Sequence, residues 1–117
     1  KDCIFFATHE PCTLCLSAIT WGGYDNFYYL FSHEDSRDSF NIGHDLRILK
    51  EVFLHDPGGY ARQNSYWSSY RIPNLIAEFD EDEQAHFNTR IETLKTLYAD
   101  MSDMYQTNKD KSDIPLK

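Results

Sequence analysis

Cys12 and Cys15 are the residues of this chain best placed to do chemistry. They stand in Glu10-Pro11-Cys12-Thr13-Leu14-Cys15, two residues after the apolar run Cys3-Ile4-Phe5-Phe6-Ala7. Two thiols three positions apart share one face of a helix, so both sulfurs can reach a single ion. Pro11 suits the first helical position, and Gly22-Gly23 is a natural stop, so the spacing predicts a helix from Pro11 to about Trp21. A helix N-terminus favours anions, which is expected to lower the thiol pKa and help keep thiolates on a metal. A catalytic zinc takes three protein ligands and leaves its fourth position to water, and two cysteines with one histidine is a known set. Zinc lowers the pKa of such a water and supplies a nucleophile at neutral pH.

Other uses of the pair stay open. A structural zinc needs two further ligands, and the only other cysteine, Cys3, reads as a small buried hydrophobe within a strand. A thioredoxin-like redox pair also sits between a strand and a helix. That fold needs a cis-proline turn introducing a strand, whereas Pro57 leads into Gly58-Gly59, which reads as a loop. His9 as a third zinc ligand is a poor fit, because it closes a strand with its own side-chain direction to satisfy.

The run Thr8-His9-Glu10-Pro11-Cys12-Thr13-Leu14-Cys15-Leu16-Ser17-Ala18-Ile19-Thr20-Trp21 resembles the E-P-C-x-x-C-x-x-A-I-x-W of the cytidine deaminase-like superfamily. The similarity covers Phe5 to Leu30, about a quarter of the chain, and is closest to the branch of guanine, tRNA adenosine and cytosine deaminases. Further on, Ile42-Gly43-His44-Asp45 through Lys50-Glu51 resembles a guanine deaminase segment, with Leu46 where that segment has a second acid. The resemblance implies a three-layer α/β/α sandwich and a zinc-dependent hydrolytic deaminase of a nucleobase or nucleoside, a guanine-like base favoured, working as a homodimer in the full-length protein. It implies Cys12 and Cys15 as zinc ligands. The full signature adds an upstream H-x-E, whose histidine is the third ligand and whose glutamate moves the proton. The eleven residues before Cys12 hold no H-x-E, because His9 and Glu10 are adjacent. The strands and first zinc-site helix that carry that motif are therefore expected to be absent from this chain, leaving no catalytic acid/base within it. Glu10 matches the glutamate preceding Pro-Cys and not the proton shuttle. A non-catalytic partner or scaffold with this fold is the alternative.

At 117 residues the chain suits one domain, and sixteen Phe and Tyr exclude general disorder. Three cysteines, two of them in a metal-type pair, point to a reducing, cytoplasmic setting. No apolar run approaches eighteen residues, so no membrane span is expected. A chain that opens on a lysine two residues before a core strand reads as a fragment. The net charge is −8, made of −3 over residues 1–77 and −5 over residues 78–117. Gripping nucleic acid requires clustered Lys and Arg, and no such cluster exists, which favours a small base or nucleoside over a polynucleotide.

The positioning elements follow from pattern. Asp2–Thr8 reads as a strand buried on both faces, Asn26–Phe31 as a second, aromatic-rich one. The polar stretch Ser32–Gly43 reads as a loop at a strand's C-terminal end, where α/β sheets usually bind ligands. His33, Glu34, Asp35 and Asp38 lie in it, solvated by default. Asp45, just beyond, is the first candidate for substrate binding, since its carboxylate can accept a hydrogen bond from a ring or exocyclic N–H. A helix is expected from Asp45 to Phe53, a turn at Asp56–Gly59 and a strand over Ser65–Ile72. Arg62, Tyr66, Trp67, Tyr70 and Arg71 form either a base-stacking platform or ordinary core packing. A short helix over Pro73–Phe79 precedes a long one opened by Asp80-Glu81-Asp82-Glu83 and striped by Phe87, Ile91, Leu94, Leu97 or Tyr98, and Met101. Residues 1–106 are expected to form the C-terminal portion of one deaminase domain, and 107–117 a flexible tail.

Overall fold

Strand β2 (Asn26–Phe31) is the strand around which the chain is built. In the computed structural model, which describes residues 2–111 and 113, it pairs in parallel with β1 (Phe6–His9) on one side and β3 (Ser68–Arg71) on the other. Tyr28 sits opposite Phe6 and Tyr70, and Tyr29 opposite Ala7 and Arg71. The chain is therefore mixed α/β with a three-stranded parallel sheet, as the strand and helix patterns predict.

The side chains of β2 enter two cores. Phe27 and Tyr29 pack with Ile19 and Trp67, and with half-buried Phe5, Leu16 and Tyr60. Leu30, Phe31 and Phe40 form the second core with Ile42, Ile72, Ile91 and Tyr98. Each fully buried aromatic contributes about 1.5–3 kcal/mol by leaving water, so β2 is the main source of stability. Tyr28 adds a stacked contact to Tyr70, with ring centres 4.9 Å apart.

Helix α1 runs Thr13–Trp21, two residues later than expected. Cys12, not Pro11, stands at its start and caps it. Helix α2 (His33–Phe40) replaces the loop expected over Ser32–Gly43. Its cause is a capping box: Ser32 Oγ accepts from the Asp35 N–H, and Asp35 accepts from the Ser32 N–H and hydroxyl. His33, Ser36 and Phe40 supply the buried face, and Asn41 at φ 55° ends the helix in the left-handed conformation. Ser32→Ala is expected to cost about 1 kcal/mol of stability, read by thermal unfolding. An unchanged melting temperature would remove the cap from this account.

Helix α3 (His44–Glu51) buries Leu46 and Leu49, close to expectation. Strand β3 is shorter than Ser65–Ile72 because Asn64 Oδ1 takes the N–H groups of Tyr66 and Trp67, holding a turn until Ser68. Ile72 already opens α4 (Ile72–Ile76), with Pro73 in its first turn. Helix α5 (Glu81–Asn108) is capped by Asp80, whose carboxylate accepts from the Glu83 N–H at 2.9 Å. A 3-10 turn follows at Lys109–Lys111, so the tail expected from Thr107 begins as helix; its residues 112 and 114–117 lie outside the described residues. Ile91, Tyr98 and Ser102 seat α5 on the second core, while Leu97 and Met101 stay exposed.

The strand expected over Asp2–Thr8 is shorter and less buried than the apolar run suggests. β1 has no partner on its outer edge among the described residues, so Ile4 and Phe6 are exposed, and Cys3 is exposed rather than buried. Asp56–Pro57 is a cis peptide bond that leads into an irregular segment ending at β3. Among the described residues no helix is long and apolar enough to cross a membrane.

Candidate metal centre

The end of β1 delivers the chain through Glu10 and Pro11 into the cysteine pair. Cys12 is the N-cap of α1, with extended backbone at φ −67° and ψ 171°, and its sulfur accepts the Cys15 N–H at 3.4 Å. This cap brings the two sulfurs to 3.2 Å, with the Cys12 thiol donating to Cys15. Both cysteines are free, Cys15 exposed and Cys12 half-buried. Zn–S bonds of 2.3 Å at a tetrahedral angle place two sulfurs about 3.8 Å apart, so a small rotation of either side chain suits the pair to one zinc ion. Among the described residues no group of three or more His, Cys, Asp or Glu is arranged to hold a metal.

The expected fall in thiol pKa is not what the site shows for Cys15. Its pKa is raised, first by the hydrogen bond shared with Cys12, then by burial, by charge on Cys12 and by charge on Asp45. The helix N-terminus loses here because the hydrogen bond with Cys12 favours the protonated thiol and a negative charge beside another is repelled. Asp45 stands in the first turn of α3, and its charge is the smallest of the causes that raise Cys15. Helices α1 and α3, which carry the cysteines and Asp45, are in contact.

His9 is not gathered with them. Its ring packs against Tyr98, Phe31 and Phe40, with ring centres 4.6, 5.2 and 5.4 Å away. Burial lowers its pKa, as expected of a core histidine.

Beneath the cysteines lies a network that no sequence pattern announces. The Glu10 side chain is 1% exposed. Its carboxylate accepts from the His33 N–H at 2.8 Å, the Tyr60 hydroxyl at 2.5 Å and Arg62 Nη1 at 2.6 Å. Arg62 Nη1 also donates to the Tyr29 hydroxyl. The His33 ring is fixed by Nε2 donating to the Pro11 carbonyl at 3.1 Å. Burial acts to raise the Glu10 pKa, yet the Tyr60 hydrogen bond, the His33 charge and the Arg62 bond together hold it below the usual carboxylate range. Tyr29 is pushed up to about 12, by burial first and by the Glu10 charge next, and Tyr60 is also raised. Glu10 is therefore a fixed anion that positions the chain entering Cys12, with no acceptor oxygen offered to a substrate. The joining of His33, Tyr29, Tyr60 and Arg62 around Glu10 was out of reach of sequence reasoning, because Tyr60 and Arg62 meet Glu10 across 50 and 52 residues.

Several of the aromatic and cationic residues of 62–71 are engaged within the fold. Trp67 is buried and donates Nε1 to Thr20 Oγ1 at 2.9 Å, Tyr70 stacks on Tyr28, and Arg71 pairs with Asp35 at 2.8 Å. Tyr66 and Arg62 lie open to solvent. Glu34 and Asp38 are solvated, while His33 is buried. Comparison with known proteins returns no matching family model, no matching curated protein and no matching solved structure.

Proposed function

We propose that this chain is the cysteine-bearing part of a zinc-dependent hydrolytic deaminase of a nucleobase or nucleoside. One observation carries the reading: a strand and a helix cap bring two accessible sulfurs to 3.2 Å, the geometry half a catalytic zinc site requires. Cys12 and Cys15 hold the ion. The third ligand and the acid/base glutamate come from residues outside this sequence. Zinc, when bound, supplies Lewis acidity and a nucleophile drawn from water. The sheet with helices contributing to both of its cores is compatible with the three-layer sandwich of the cytidine deaminase-like superfamily.

Two surface features support an additional element packing over α1. Leu14 and Trp21, two helical turns apart, are 77% and 91% exposed on its outer face. Apolar side chains left open beside a ligand pair are what the element bearing the remaining ligand would cover. Asp45 has the role of orienting the base, accepting a hydrogen bond from a ring or exocyclic N–H. The net charge of −8 favours an uncharged base or nucleoside over a polynucleotide.

The test is ammonia release by the full-length protein offered guanine, cytosine, adenosine and a tRNA anticodon stem-loop in parallel. Turnover of a free base or nucleoside is expected, abolished in Cys15→Ala and reduced about tenfold or more in Asp45→Ala with zinc content unchanged. The 117 residues alone are expected to release none, lacking the proton shuttle. Turnover of the stem-loop alone would refute the small-substrate reading, and activity surviving Cys15→Ala would refute the metal reading.

A further inference from the structure

A second polar site opens at the C-terminal ends of β2 and β3, a cavity of about 500 Å³ lined by Arg62, Arg71, Asn74, Ser69, Glu34 and Asp35, among others. Parallel α/β sheets bind ligands at this end of their strands, and the volume suits a small molecule. Nothing in the zinc chemistry uses it.

Its two guanidinium groups are fixed before any ligand arrives. Arg62 is held through Nη1 by Glu10, and Arg71 through Nη2 by Asp35. Asp35 is in turn locked by the Ser32 cap. Each arginine thus spends one nitrogen on a carboxylate and keeps others for the cavity. Arg71 Nε is buried and has no hydrogen-bond partner among the described residues. A buried charged N–H without an acceptor is costly, so an oxygen acceptor belongs there. Arg62 remains 44% exposed along its side chain. The lining carboxylates are Asp35, already paired with Arg71, and Glu34, on the exposed first turn of α2.

We propose that this cavity binds an oxyanion, the phosphate or carboxylate group of a small ligand, between Arg62 and Arg71. Guanidinium groups favour both because each presents parallel N–H donors to two oxygens, and preorganised donors lose little on binding. The site does not depend on the zinc reading, and Cys12→Ser is expected to leave it intact.

The experiment is calorimetric titration of the full-length protein with inorganic phosphate, pyrophosphate and succinate at low ionic strength. Saturable binding of at least one probe is expected, and the probe that binds tells phosphate from carboxylate. Arg71→Met is expected to weaken it about tenfold or more, the loss of a charge-assisted bond. Should Arg71→Met fail to fold, Glu34→Gln carries the test, since removing that exposed charge is expected to tighten binding about threefold. No saturable binding of any probe, or an affinity unchanged in both variants, would overturn the proposal.

Discussion

Glu10→Ala is expected to destabilise the protein by about 3 kcal/mol or more, the largest effect of any single substitution outside the cysteine pair. Removing the carboxylate strands three donors at once: the His33 N–H, the Tyr60 hydroxyl and Arg62 Nη1. Arg62 loses its pairing partner while still confined against Tyr29 and Tyr60. Thermal or denaturant unfolding measures the change, and a loss below about 0.5 kcal/mol, the ordinary surface value, would contradict the network. The same residue predicts a pH dependence. Because its folded pKa lies below the 4.5 of a free glutamate, its stabilisation is fully present above pH 4.5 and is lost as pH falls through the lowered folded pKa. Glu10→Gln should flatten stability across that acid window; an undiminished acid slope in Glu10→Gln would assign the slope to other carboxylates.

How much of this was legible in the sequence depends on the range of the interaction concerned. The β2 aromatics and the Asp80 cap announce themselves within a few residues, and the structure places both as their local pattern predicts. Helix α2 was legible too, through Ser32 and Asp35 at capping-box spacing and His33, Ser36 and Phe40 on one face. Its polar composition masked that signal, since hydrophobic periodicity alone found no stripe. β1 misled in the opposite sense: an unbroken apolar run reads as a strand covered on both faces, and burial depends on neighbours a local pattern does not contain. In the candidate site, Cys12 and Cys15 were visible from spacing. Their capping geometry was not, because Pro11 is equally at home one position before a helix cap. The Glu10 network was invisible, as its partners meet only once β2, α2 and the 60–62 segment fold together.

The cysteine pair carries the second large effect. A zinc ion bound through two thiolates, a histidine and a water loses its site when either sulfur goes, because the remaining ligands no longer hold it against solvent. The proton held at Cys15 adds a pH signature. With the thiol pKa raised, metal must displace that proton, so zinc affinity should rise with pH through the neutral and mildly alkaline range. These 117 residues by themselves should bind weakly, two thiolates leaving half the tetrahedron to water. The most direct test of the account is zinc content of the purified full-length protein and its Cys12→Ser, Cys15→Ser double variant, measured by elemental analysis after dialysis. One zinc per chain in the unaltered protein and none in the double variant is the predicted result; a full equivalent of zinc retained by the double variant would contradict it.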